Sequence, residues 1–261
     1  MIPVNTTPLR KTFSLSCMKI SVITVCKNSE RTIERCIRSV VDQSHADIEY
    51  IVIDGSSTDQ TLAILRDYQD HIATLLSEPD SGIYNAMNKG IAVSTGAVLF
   101  FLNSDDYFVD ENVLTDVAAE FNCNDSIWVL YGNVTVVAPD GETSVNYKNI
   151  SKNYFYKNTI CHQAVFTKKT AYELIGGFDE KYIIHADADW LMKAYFHPKI
   201  RSRFRYIDRE ICFFANDGFC SDPANAEKYK YQRQEISAKY FPTARLKLTI
   251  KKLLLRFGIE I

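Results

Sequence analysis

The chain has 261 residues, 46% of them hydrophobic, enough to enclose a core in one large domain or two small ones. Its formal charge of -2 argues against a general nucleic-acid-binding surface. No apolar run reaches the roughly 18 to 20 residues of a membrane-spanning helix, and the seven cysteines, odd in number and without a C-x-x-C pair, read as reduced thiols of a cytoplasmic protein.

Residues 1–17 carry Pro3, Pro8, Arg10 and Lys11 without a continuous apolar stretch. They read as a flexible leader rather than a signal peptide, with Met18 as an alternative start. Ile20 to Val25 is a strand that ends at Cys26-Lys27-Asn28, and Ile33, Ile37 and Val40 give the following segment helical spacing, with a start near Asn28 or Ser29. Tyr50 to Ile53 is a second strand, ending at Asp54-Gly55-Ser56-Ser57-Thr58-Asp59. A helix carrying Leu62, Leu65 and Tyr68 follows from Ser57 or Thr58. Pro79 and Gly82 punctuate the next loop, and Met87-Asn88-Lys89-Gly90 reads as a short helix stopped by its glycine.

The run Ala97 to Leu102 is a strand buried on both faces, and it delivers Asn103-Ser104-Asp105-Asp106 at its carboxyl end. Strand and helix alternate here, so the sheet is parallel and its polar loops gather along one edge, where open α/β sheets bind ligands. A hard divalent cation held at such an edge grips a diphosphate. Farther on, Val113, Leu114, Val117, Ala118 and Phe121 mark an amphipathic helix. Trp128 to Asn133 is a strand, and Val134 to Val137, a Pro139-Asp140-Gly141 turn and Thr143 to Tyr147 form a hairpin. A helix with Tyr172 and Leu174 ends at Gly176-Gly177, and His185-Ala186-Asp187-Ala188-Asp189 opens another through Tyr195. Carboxylates at a helix start are also favoured by the local dipole.

The words Ser21 to Asn28, Val52 to Thr61 and Phe101 to Asp106 resemble the three signature segments of family 2 glycosyltransferases, in order and spacing. The resemblance continues through Glu78 to Gly90, Cys161-His162-Gln163, Gly176 to Glu180 and Ala186 to Trp190. It covers roughly residues 19 to 220 and is nearest to the bacterial polysaccharide and lipopolysaccharide branch. It implies an α/β fold of the GT-A type, a mixed, mostly parallel central sheet flanked by helices. The expected layout is a catalytic domain over 18–220, with a nucleotide-binding half (18–110) and an acceptor half (111–220), followed by a basic amphipathic helical extension over 221–261.

The implied activity is inverting, metal-dependent transfer of one sugar from a nucleotide-sugar donor, foremost a UDP-sugar, to a hydroxyl of a lipid-linked or cell-surface glycan. Departure of a nucleoside diphosphate needs its growing negative charge offset, which Mn2+ or Mg2+ does as a Lewis acid while using one or two protein carboxylates. By resemblance Asp105 is that ligand, with Asp106 a second candidate. Asn103 approaches the ribose, with asparagine in place of the family's usual aspartate. Asp54 is expected on the nucleotide base. Thr24, Cys26, Asn28, Asp80, Tyr84, Asn88 and Ser104 are expected along the donor pocket, with Lys27 near a phosphate. Asp187 matches the family's catalytic base, preceded by alanine where the family has glutamate, and Asp189 is the alternative. His162, Gln163 and Asp179 belong to the acceptor or diphosphate side.

Lys239, Arg245, Lys247, Lys251, Lys252 and Arg256 interleave with Leu246, Leu248, Ile250, Leu253, Leu254 and Leu255, with no acid among them. That pattern suits an anionic membrane surface on the inner face of the cell membrane, or else packing on the domain or on a second subunit as a homodimer. A sugar nucleotidyltransferase, or a catalytically silent glycan-binding scaffold at the membrane surface, are the competing readings. Val22 to Asn28 lacks the glycine-rich basic phosphate loop of the former.

Overall fold

A computed structural model of the chain describes residues 18–138, 141–215 and 226–246. The expected leader, the tip of the hairpin turn at 139–140 and the basic segment from 247 onward lie outside these residues. No helix of the described residues is long and apolar enough to cross a membrane.

The first half alternates as its sequence pattern demands. β1 (Ile20–Cys26) is followed by α1 (Ile33–Val41), β2 (Ile48–Asp54), α2 (Thr61–Asp67), β3 (Thr74–Ser77), α3 (Ile83–Val93) and β4 (Val98–Phe101). The second half contributes β5 (Tyr107–Phe108), α4 (Val113–Cys123), β6 (Val129–Ala138), β7 (Gly141–Val145), α5 (Lys152–Lys157), β8 (Val165–Lys168), α6 (Lys169–Ile175), α7 (Ala186–Phe196), β9 (Phe204–Ala215) and α8 (Ala226–Tyr240).

These strands form one nine-stranded sheet in the order β3-β2-β1-β4-β8-β6-β9-β5, with β7 paired to β6. β3, β2, β1 and β4 run parallel, and β8 turns antiparallel against both β4 and β6. The chain leaves β1 toward β2 and β3 and returns to β4 on β1's other side. Parallel sheets place their ligand crevice outside the carboxyl ends of the strands at such a reversal. Every residue of β1 and of β4 is buried, which explains why both strands are uncharged and largely apolar. Phe100 stacks on Phe166 of β8 with centroids 4.2 Å apart, joining the two halves across β4 and β8.

The two loop-helix junctions differ from the sequence expectation. α1 begins at Ile33, because Asn28 takes a left-handed φ of 52° and the Ser29 amide donates to Thr61 Oγ1 at 2.7 Å. α2 begins at Thr61, because Ser57 and Thr58 are bonded to Asp54 and Asn28 instead of starting a helix. Gly90 does not stop its helix either. α3 continues to Val93, and Gly90 faces β1 so closely that a Cβ would overlap Ile23. Its glycine serves close helix-sheet approach.

α8 lays one face on the acceptor half. Tyr229, Gln232, Arg233, Ile236, Lys239 and Tyr240 recur at the three-to-four-residue spacing of a helical stripe. Gln232 and Ile236 are buried, and the Gln232 side chain accepts the Ile184 amide at 3.1 Å. The described chain continues past Tyr240 to Leu246, with Phe241 also buried.

Candidate active site

The carboxyl ends of β1, β2 and β4 form the floor of a crevice. β1 and β2 bring Cys26 beside Asp54, and β2 and β3 bring Asp54 beside Ser77. The loops after them are knit together by short polar contacts. Ser57 Oγ accepts the Asn28 amide at 2.8 Å, Asn28 Oδ1 accepts the Thr58 amide at 2.9 Å, and the Ser29 and Ser104 hydroxyls are 2.8 Å apart.

Asp54 is part of this floor rather than exposed on it. It is fully buried, its Oδ2 accepts the Ser57 amide at 3.1 Å and the Ser77 hydroxyl at 2.6 Å, and its Oδ1 takes the Ser57 hydroxyl. The expectation that Asp54 meets the base is thereby altered, because both oxygens are spent inside the protein. Thr24 is likewise buried, and its hydroxyl accepts from Tyr50 at 3.2 Å. Burial, followed by the Asp54 charge, pushes the Cys26 thiol up, so it stays protonated below the crevice. Asn28 and Lys27 are exposed at the rim.

A different carboxylate stands above Gly55. Asp80 Oδ1 accepts the Gly82 amide at 3.0 Å, while its Oδ2 lies so near Gly55 that a Cβ there would overlap it, with the Lys27 stem alongside. The lack of a side chain at Gly55 is what lets Asp80 occupy this place.

At the end of β4, Asp105 is partly exposed, and its backbone carbonyl accepts Arg35 Nη2 at 3.1 Å. Asn103 Oδ1 is buried without a hydrogen-bond partner. A partly exposed carboxylate and an unsatisfied amide oxygen two residues apart on one loop are oxygen ligands of the type a hard cation takes, with phosphate and water completing its shell. Among the described residues no cluster of His, Cys, Asp or Glu forms a cage by itself. Asp106, the second candidate ligand, is 1% exposed. It accepts Gln163 Nε2 at 2.8 Å and the Ala215 amide at 3.0 Å. Burial, then the neighbouring Asp105, pushes its carboxyl well up. Asp106 therefore joins the β4 loop to the acceptor half.

Gln163 is consumed by that joint, and its neighbour His162 turns to the other carboxylate of interest. His162 Nδ1 is 3.3 Å from Asp187 Oδ2, and the Tyr84 hydroxyl is 2.8 Å from Asp187 Oδ1 and also meets the Ile184 carbonyl. Tyr84, expected along the donor pocket, thus reaches from α3 to the start of α7. Burial pushes the Asp187 carboxyl up, but the His162 hydrogen bond and charge, the His185 charge and the Tyr84 hydroxyl outweigh it and hold Asp187 below the usual carboxylate range. Its side chain retains 14% exposure.

Asp189, one helical step away, is placed quite differently. It accepts Lys239 Nζ at 2.9 Å and the Tyr240 hydroxyl at 3.1 Å, so it anchors α8. Asn88, expected in the donor pocket, clamps the turn before α7: Oδ1 accepts the Phe178 amide at 2.9 Å, and Nδ2 donates to Phe178 O and to Glu180 Oε1. Asp179 is exposed on that turn, 3.5 Å from Lys181 Nζ. Glu180 and the α8 residues Arg233, Lys239 and Tyr240 were not among the residues expected here, although the helical spacing of the α8 set is readable.

The model of the family described as "Glycosyl transferase family 2" matches residues 21–172. A PGL/p-HBAD biosynthesis glycosyltransferase of Mycobacterium bovis is 29% identical over 195 residues, 72% of this chain and 73% of that protein. S. aureus TarS 1-349, solved in complex with UDP-GlcNAc, superposes with a TM-score of 0.71 at 23% identity, over 85% of this chain and 66% of that one. The chain thus spans just under two thirds of that solved fragment. The mannosyltransferase PcManGT of Pyrobaculum calidifontis, solved with GDP-Man and Mn2+, superposes with a TM-score of 0.58 at 16% identity, over 92% of this chain and 79% of that one.

Proposed function

Since the chain belongs to glycosyltransferase family 2, we propose that it transfers one sugar, with inversion, from a UDP-sugar to a hydroxyl of a glycan acceptor, with Asp187 as the base. The observation that carries this reading is a continuous link across the crevice. The β4 loop with Asp105 and Asp106 is bonded through Gln163 to the segment whose next residue, His162, holds Asp187.

On this reading Asp187 accepts the proton of the acceptor hydroxyl as its oxygen attacks the anomeric carbon. The bond from that carbon to the diphosphate breaks, and the nucleoside diphosphate leaves with the electron pair. One displacement with one base inverts the anomeric centre. A carboxylate held ionised, with part of its surface exposed, is suited to this role. His162 and Tyr84 fix its orientation, and the bonds of Asp189 to Lys239 and Tyr240 favour an anchoring role for Asp189 over that of the base.

Asp105, together with Asn103 Oδ1 of the same loop, would hold Mn2+ or Mg2+, which as a Lewis acid offsets charge on the leaving diphosphate. Asn103 removes the charge that an aspartate would bring, so this chain relies on Asp105 more heavily. We read Asp80, rather than Asp54, as the carboxylate that accepts a base N–H. The imide of uracil presents such a donor. The bound UDP-GlcNAc of the TarS structure supports the choice of donor class. Asp187→Asn tests the assignment: it should retain UDP binding and lose turnover by about a hundredfold or more, the range removed with a general base. Unchanged turnover would reject Asp187 as the base.

A further inference from the structure

We propose that a phosphate-class anion is received beside Asp187 by Arg233, His185 and His162, a subsite that rests on the reading of Asp187 as the catalytic base. Arg233 Nη2 donates to the carbonyls of Phe155 at 2.8 Å and Asn158 at 2.6 Å, at the end of α5, which fixes the guanidinium plane. Its other terminal nitrogen, Nη1, is buried without a hydrogen-bond partner. Among the described residues the carboxylate whose charge reaches Arg233 is Asp187, through space rather than through a hydrogen bond.

His185 comes from the turn that leads into α7. It immediately precedes α7, is 5% exposed, and lies with its ring 4.2 Å from that of Tyr229, one helical turn before Arg233 on α8. His185 Nε2 is also buried without a partner. His162 spends Nδ1 on Asp187, and its Nε2 is the third such nitrogen. Contacts draw the three together: Gln232, next to Arg233, accepts the amide of Ile184, next to His185, at 3.1 Å, and the Tyr84 hydroxyl meets both the Ile184 carbonyl and Asp187 Oδ1.

A buried polar atom without a partner loses its hydration with nothing in return, and native proteins keep few of them. Arg233 Nη1 is a donor in every state, whereas Nε2 of His162, whose Nδ1–H is taken by Asp187, and Nε2 of His185, whose imidazole burial pushes down, donate once the rings are protonated. A ligand that brings negative charge and several acceptor oxygens favours that protonation and meets all three nitrogens. The planar guanidinium fork, with one arm already fixed, matches phosphate geometry. A phosphate also supplies several acceptor oxygens to separate donors, which a neutral hydroxyl cannot. The phosphate arrives either on the acceptor or as the diphosphate of the donor.

The test uses the full chain with Mg2+, titrated with inorganic phosphate with and without saturating UDP, while the imidazole nitrogen resonances of His185 and His162 are followed by NMR. Saturable shifts of both histidines are expected, and Arg233→Gln should weaken phosphate binding about tenfold or more. Arg233→Lys should restore part of that loss, and His185→Asn should weaken binding in a variant that keeps the guanidinium. Phosphate binding indifferent to UDP assigns the anion to the acceptor, and displacement by UDP assigns it to the donor. Either result supports the subsite. The proposal is overturned if phosphate causes no saturable shift in the wild type, or if Arg233→Gln and His185→Asn both bind phosphate as the wild type does. Metal-dependent hydrolysis of UDP-sugars by the wild type is scored separately, so its absence beside intact phosphate binding would count against the transferase reading alone.

Discussion

Replacing Lys239 by methionine should separate the two aspartates of α7 by what they do. Lys239 Nζ is 2.9 Å from Asp189 Oδ1, with side-chain exposures of 33% and 7%. It also lies 4.5 Å from the ring centroid of Tyr182. Removing one partner of a fully buried ion pair costs about 3–5 kcal/mol, because a charge is left uncompensated. A third of Lys239 is exposed, so water reaches the stranded carboxylate and the expected loss falls to about 1–3 kcal/mol. Methionine preserves most of the stem's packing, which isolates the charge. Asp189→Asn should relieve the penalty, so the double variant should be less destabilised than the sum of the two singles by about 1 kcal/mol or more. Urea unfolding of the four proteins measures the cycle, and UDP-sugar hydrolysis by each measures catalysis. Asp189→Asn should keep its turnover. Additive stabilities, or turnover abolished by Asp189→Asn in a folded protein, would refute the assignment of Asp189 to anchoring α8.

Two further predictions concern other carboxylates. Burial pushes the Glu49 carboxyl up, but donors from Ser21, Thr95 and Lys19 override it and bring it to about 2 from 4.5. A depressed folded-state value contributes stability that is complete above the unfolded value and is lost as pH falls from 4.5 toward 2. That contribution is roughly 3 kcal/mol by linkage, and Glu49→Gln should flatten the acid limb of the stability curve measured by chemical denaturation. At the donor end, Asp80→Asn should weaken UDP binding about tenfold or more, the value of a charge-assisted hydrogen bond. Gly55→Ala should do the same by displacing the Asp80 carboxylate, and calorimetry finding UDP affinity unchanged in both would remove Asp80 from base recognition.

The parallel core and its polar edge were legible because their determinants are local. β1, β2 and β4 are buried, largely apolar strands that end in polar loops, and the β-α alternation then dictates where those loops gather. The roles of individual loop residues were less legible, because they depend on partners distant in sequence. Asp54 has the appearance of an accessible loop carboxylate, yet Ser57 and Ser77 surround it once β3 joins β2. The claim of Asp80 to the rim depends on the missing side chain of Gly55. α8 escaped recognition as part of the acceptor wall because the stripe it lays on the domain includes Gln232, Arg233 and Lys239, which a hydrophobicity pattern assigns to solvent. Their value comes from a carbonyl, an amide and a carboxylate supplied by α5 and the start of α7.

The account depends most on Asp187 acting as the base of an inverting transfer. NMR of the first sugar released from an α-linked UDP-sugar, compared between wild type and Asp187→Asn at equal UDP occupancy, tests it most directly. The β-anomer from the wild type, with release slowed about a hundredfold or more in the variant, is the predicted result. Release of the α-anomer, or equal rates from both proteins, would contradict it.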